Sequence, residues 1–215
     1  MGLYTWKFPY RKILLPLAKR LKWVNPDILS YLAVVVAFLT GICFYFAYSK
    51  NWLLLWAIGL TFLRMTLNTI DGVIAIERGK LRLKGEIVNA LPDRYSDIFV
   101  MLGIAFSPYC CIHIGTIAAI SVLLVSYTGM LGKAVGVNWQ HHGPLGKVER
   151  LILMMIASFV QYILTARGLK YFTFFSYRTT PLELLMFLFI VGAQITIFNR
   201  VRGMLKEIRE KENVA

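Results

Sequence analysis

Residues 68–97 read NTIDGVIAIERGKLRLKGEIVNALPDRYSD and lie between two apolar stretches. At helical spacing Asn68 and Asp71 share a face, with Gly72 and Ala75 close to it. Asn89, Asp93 and Asp97 recur every fourth residue further on, and Gly85 stands one turn before Asn89. Two antiparallel helices carrying these rows aim oxygen donors at one cavity. Such donors suit hard cations such as Mg²⁺, which bind a few carboxylates together with substrate phosphates. Polar groups beside hydrocarbon are costly unless they face a wet cavity or each other. Gly72 and Ala75 leave space for a substrate to approach the helix.

The surrounding chain is apolar. Of 215 residues, 58% are hydrophobic, more than a soluble domain carries. Apolar runs fall near 31–48, 52–63, 98–109, 112–132, 151–165 and 181–198. Several reach the roughly 20 residues a helix needs to cross the hydrocarbon core. The shorter ones extend through polar flanks: the second continues past Arg64 to Ile76, and the third begins among Asp93, Arg94 and Asp97. The pattern predicts an all-α integral membrane protein forming a single domain over 1–215. It comprises an N-terminal amphipathic interfacial helix (6–23), a six-helix transmembrane bundle (29–202) and a solvated cytoplasmic tail (203–215).

The segment 6–23, WKFPYRKILLPLAKRLKW, alternates apolar and basic residues with Trp at both ends, which suits a membrane surface. Pro9 and Pro16 are expected to divide or bend it. Asn25 or Asp27 caps the first span.

Net charge is +13, yet its distribution argues against nucleic acid. With six spans, Lys and Arg at 7–22, 78–84, 133–150 and 200–211 all fall on one side. Only Lys50, Arg167, Lys170 and Arg178 fall on the other. That asymmetry puts both termini in the cytoplasm, at the cytoplasmic (inner) membrane, and basic flanks attract anionic headgroups. Cys43, Cys110 and Cys111 have neither zinc-ligand nor disulfide-framework spacing and read as packing residues. No cleavable signal peptide is evident.

The stretch resembles the signature of the CDP-alcohol phosphotransferase family, D-x2-D-G-x2-A-R-x8-G-x3-D-x3-D. Asp71, Gly72, Ala75, Gly85 and Asp93 match; Asn68 and Asn89 stand where the signature has Asp, and Ile76 where it has Arg. The N-terminal helix, the Asn-Pro before the first span and the loop HHGPLGKVER at 141–150 are also similar to the family. The resemblance implies transfer of a substituted phosphate from a CDP-linked donor, most simply CDP-diacylglycerol, to a small alcohol, with release of CMP. It implies one or two Mg²⁺ or Mn²⁺ ions held by Asn68, Asp71, Asn89 and Asp93, with Asp93 as catalytic base. Asp71, Gly72, Ala75 and Gly85 would line the CDP pocket, and a homodimer is expected. The two asparagines keep an oxygen at each position but remove its charge. They motivate the alternative of a catalytically silent, lipid- or nucleotide-binding member.

Outside the signature, Asp97 is expected to pair with Arg64 or Arg94. Pro92 either re-aims Asp93 or marks where its helix starts. Lys147 and Arg150, three apart, could hold an acceptor phosphate together with Lys133, pointing to a phosphorylated polyol, or could serve topology alone. His141 and His142 read as a solvated loop pair. An ion transporter also places carboxylates in a membrane, but it leaves the glycine spacing unexplained, and prenyltransferase motifs have other spacings.

Overall fold

The computed structural model describes residues 7–21, 23–77, 83–138 and 143–213. Among them are seven helices: α1 (Lys7–Arg20), α2 (Pro26–Phe46), α3 (Leu53–Glu77), α4 (Leu83–Ala105), α5 (Ile112–Ala134), α6 (Lys147–Ala166) and α7 (Pro181–Glu212). Strands β1 (Phe172–Phe174) and β2 (Tyr177–Thr179) form a hairpin between α6 and α7. Helices α2, α3, α5, α6 and α7 are long and apolar enough to cross a membrane. The protein is an all-α membrane protein. Helix α4 is as long, but it carries Lys84, Glu86, Asp93, Arg94 and Asp97.

Helix α2 begins as its sequence dictates. Asn25 is the N-cap, its Oδ1 accepting from the Asp27 amide at 3.2 Å, and Pro26 occupies the first turn, where a missing N–H costs nothing. Helix α1 is continuous: Pro9 falls in its first turn and Pro16 inside it, so neither proline divides the helix. Ala18 is buried and Leu14 and Leu15 pack toward α3, while Ile13 and Leu17 remain exposed.

Helix α2 packs against α3 and α4, α5 against α4 and α7, and α6 against α3 and α7, with α1 laid on α3. The α2–α4 crossing is close because both backbones are bare there. A Cβ on Gly103 would run into the Gly41 backbone, and one on Gly41 into the Phe99 carbonyl. Gly103→Val should therefore lower stability by about 1–3 kcal/mol through overpacking. Gly59→Ala, whose added Cβ meets open space, should leave the melting temperature in detergent unchanged. Equal melting of the two variants would deny the crossing its role.

The hairpin was not legible as apolar periodicity. Phe175 (φ 45) and Ser176 (φ 66) make its two-residue turn in the left-handed region, the geometry that matches strand twist. It sits at one end of the bundle among polar ties. Tyr171 Oη donates to the Pro108 carbonyl at 3.2 Å, Lys170 Nζ lies 3.9 Å from the Tyr48 ring centroid, and Thr179 Oγ1 donates to Glu183 at 2.7 Å. Nearby, burial pushes the Cys110 thiol up to about 12, and the charges of Glu183 and Cys111 add to it. Cys110 should resist alkylation in the folded protein at about pH 8.5, the ordinary thiol value, and react on denaturation. Rapid modification of the native protein would contradict this.

Residues 203–213 of the C-terminal tail are helical as far as Glu212 and mostly exposed. Helix α7 runs unbroken through the span into the tail, and Met204 is buried. Glu207 Oε1 accepts from the Asn138 amide at 2.9 Å and from its Nδ2 at 2.8 Å; Lys211 Nζ donates to the Gly136 carbonyl at 2.6 Å. The tail docks on the turn after α5.

Candidate active site

At the end opposite the hairpin, the last turns of α3 meet the start of α2, the first half of α4 and the start of α6. Asp71 is buried at 3% exposure because the α3 face that carries it packs on α2. Ser30 Oγ donates to its Oδ2 at 2.7 Å, while Oδ1 is buried without a hydrogen-bond partner among the described residues. Leaving a carboxylate oxygen in that state is costly, and a cation would satisfy it. Both Asp93 and Lys147 act electrostatically on Asp71. A Cβ added at Gly72, the next residue along the chain, would meet nothing within 4 Å.

Asp93 projects from α4 toward α3 and α6. Its Oδ1 accepts from Asn68 Nδ2 at 3.3 Å and from Lys147 Nζ at 2.6 Å. Asn68 and Asp71 on one helix and Asp93 on the next are thus brought together. Pro92 is buried inside α4, which begins nine residues earlier at Leu83, so Pro92 does not mark the helix start. Its missing N–H frees a carbonyl one turn back. Gly85 and Asn89 lie on the first turns of α4, where the side chains fall outside the described residues. So do His141, His142 and the loop cations Arg78, Lys80 and Arg82.

One turn deeper, Asp97 is clamped between two arginines. Arg64 Nη2 reaches Asp97 Oδ1 at 2.6 Å, and Arg150 Nη2 reaches Oδ2 at 2.9 Å. Arg64 is 1% exposed and also contacts the Asp93 carbonyl at 3.4 Å. Arg150 is 6% exposed, with Nη1 on the Leu145 carbonyl at 3.3 Å. Of the two partners open to Asp97, Arg64 is the one found, and Arg150 is an addition that sequence reading missed. Its signal was present: an acid at every fourth position on α4 and bases three apart on α6 form two rungs.

The three acceptor-phosphate candidates are therefore not equivalent. Lys147 and Arg150 are paired with Asp93 and Asp97, so a phosphate gripped by both would have to displace two ion pairs. Lys133 is exposed in the last turn of α5. Arg150 and Arg200, counted above among cytoplasmic-side charges, are buried at 6% and 8%. Arg200 donates to the Val125 carbonyl inside the bundle. Arg150→Ala should thus lower the melting temperature in detergent rather than act mainly on a substrate's KM; an isolated KM effect would restore the phosphate reading.

Among the described residues no three His, Cys, Asp or Glu side chains cluster as metal ligands. The donor set includes a carboxamide instead: Asn68, Asp71 with its unpartnered oxygen, and Asp93. It fits a hard, oxygen-bound divalent ion.

No family model matches the chain. It is 28% identical over 130 residues to the inner membrane protein YnbA of Escherichia coli (strain K12), an alignment covering 60% of this chain and 64% of that protein. The chain thus spans less than two thirds of that relative. It is also 28% identical over 196 residues to an uncharacterized protein of Aquifex aeolicus (strain VF5), covering 87% and 86% of the two.

The fold recurs among solved structures. It is shared with phosphatidylinositol phosphate synthase of Mycobacterium tuberculosis, solved with CDP-DAG bound: TM-score 0.70, 20% identity, 90% of this chain and 94% of that one. The same enzyme solved with manganese and citrate gives TM-score 0.67 at 21% identity, covering 88% of each chain.

Proposed function

We propose that the protein is a CDP-alcohol phosphotransferase. It moves a phosphatidyl group from a CDP-linked lipid, CDP-diacylglycerol, to the hydroxyl of a small alcohol and releases CMP. The observation that carries this reading is the meeting of Asn68, Asp71 and Asp93 beside the open face of Gly72. They meet in a fold whose solved relative binds CDP-DAG.

A divalent ion, Mg²⁺ or Mn²⁺, would be held by Asp71, Asp93 and the carboxamide oxygens of Asn68 and Asn89, and would neutralise the donor's pyrophosphate. Asp71 is held for that task by Ser30. Gly72, Ala75 and Gly85 leave the nucleotide room against α3 and α4. In the transfer, the acceptor hydroxyl oxygen bonds to the donor's lipid-bearing phosphorus as the bond to the CMP oxygen breaks. Asp93 takes the hydroxyl proton. Both described contacts of its carboxylate fall on Oδ1, so Oδ2 is the oxygen for that proton.

In this reading α4 is a sixth crossing, with Asp93 and Asp97 turned to α3 and α6 rather than to lipid, and α1 lies in the interface with Ile13 and Leu17 toward acyl chains. The site and both termini face the cytoplasm across an inner membrane, and the protein forms a homodimer. A phosphorylated polyol is the acceptor class, with exposed Lys133 among its candidate contacts.

The test is incubation of purified protein with CDP-diacylglycerol, Mg²⁺ or Mn²⁺ and a panel of alcohols and polyol phosphates, measuring CMP. Metal-dependent release is expected. The alternative, a silent lipid-binding member, draws on the two asparagines and on the ammonium already paired with Asp93. Donor binding without CMP release under every condition would establish it.

A further inference from the structure

Two divalent ions bring four positive charges, which four signature carboxylates would balance. Here Asn68 and Asn89 are neutral, leaving Asp71 and Asp93. One of those two already faces a cation: Lys147 Nζ lies 2.6 Å from Asp93 Oδ1, with the Lys147 side chain 31% and the Asp93 side chain 16% exposed.

An exposed Lys–Asp contact ordinarily carries little meaning, but this one is held in place from below. Arg150, one turn along α6 from Lys147, is locked by Asp97, one turn along α4 from Asp93. Arg64 on α3 closes the same carboxylate and touches the Asp93 carbonyl. Two rungs, four residues apart on α4 and three apart on α6, thus fix α6 against α4 in the register that delivers the ammonium to Asp93.

Resting on the phosphotransferase reading, we propose that Lys147 is a built-in monovalent cation standing where a second divalent ion would bind, so that the site takes one metal ion. Asp71, Asp93 and the ammonium sum to −1. One divalent ion brings the nucleotide-free site to +1 and a second would bring it to +3, at a carboxylate oxygen already occupied. The unpartnered Oδ1 of Asp71 marks where the one ion binds. Lys147 thereby explains how two asparagines are tolerated: the charge lost at Asn68 and Asn89 matches the removal of one ion.

The test counts bound Mn²⁺ per chain in detergent-purified protein at saturating CDP, by the electron paramagnetic resonance signal of the free ion. The expected count is one for the wild type and for Lys147→Arg, and two for Lys147→Met. Thermal unfolding of each preparation establishes that it is folded, and Lys147→Arg, which keeps the charge, separates an electrostatic role from a packing one. A wild-type count other than one overturns the proposal. So does a count that stays at one in Lys147→Met, at any affinity. CMP release, measured in the same preparations, tests the catalytic reading separately. Counts of one and two without turnover would leave the cation substitution standing and the enzyme reading refuted.

Discussion

Replacing Asp97 by Ala should destabilise the protein by about 3–5 kcal/mol, the cost of leaving buried charges without their partner. Arg64 and Arg150 both spend their guanidinium groups on this one carboxylate, at 1% and 6% exposure. Removing it strands two cations among Val100, Met101, Val122, Met154 and Phe189. Unfolding in detergent measures the loss. The triple variant Arg64→Met, Asp97→Leu, Arg150→Met should recover much of it, since apolar side chains of similar volume often replace a buried ion network at little cost. A single Asp97→Ala variant that melts with the wild type would mean the network neither stabilises the bundle nor sets the register of α6 on α4.

Asp93→Asn should reduce CMP release by roughly 10²–10⁴-fold, the usual contribution of a positioned general base, while binding of the CDP donor stays close to that of the wild type. The amide keeps shape and an oxygen for Lys147 but cannot accept the acceptor hydroxyl's proton. Asp71→Asn should differ in kind by weakening metal and nucleotide binding together, because the buried oxygen that lacks a partner becomes half of a neutral amide. Turnover undiminished in Asp93→Asn would remove that residue from the chemistry. Metal dependence unchanged in Asp71→Asn would remove the other from the ligand set. The two effects are separable by measuring CMP release alongside Mn²⁺ binding with and without CDP. Metal and donor should strengthen each other's binding by the same factor, as linkage requires.

Composition and spacing were enough for the helical membrane architecture, because a helix satisfies its own backbone in hydrocarbon and must be about twenty apolar residues long to do so. Spacing also put Asn68 with Asp71 and Asp93 with Asp97, since residues three and four apart share a helix face whatever the helix packs against. The cap at Asn25 was legible for the same reason: it depends only on its neighbours in the chain. Which helices meet is a different matter. Ser30 and Asp71 are 41 residues apart, and Asp93 and Lys147 are 54 apart. No local rule chooses between Lys147 as a phosphate ligand, a topological charge or a partner of Asp93. That choice was made when α6 packed against α3 with Arg150 locked on Asp97 of α4. A long cation takes the partner that the helix register puts within reach, and register is a property of the assembled bundle.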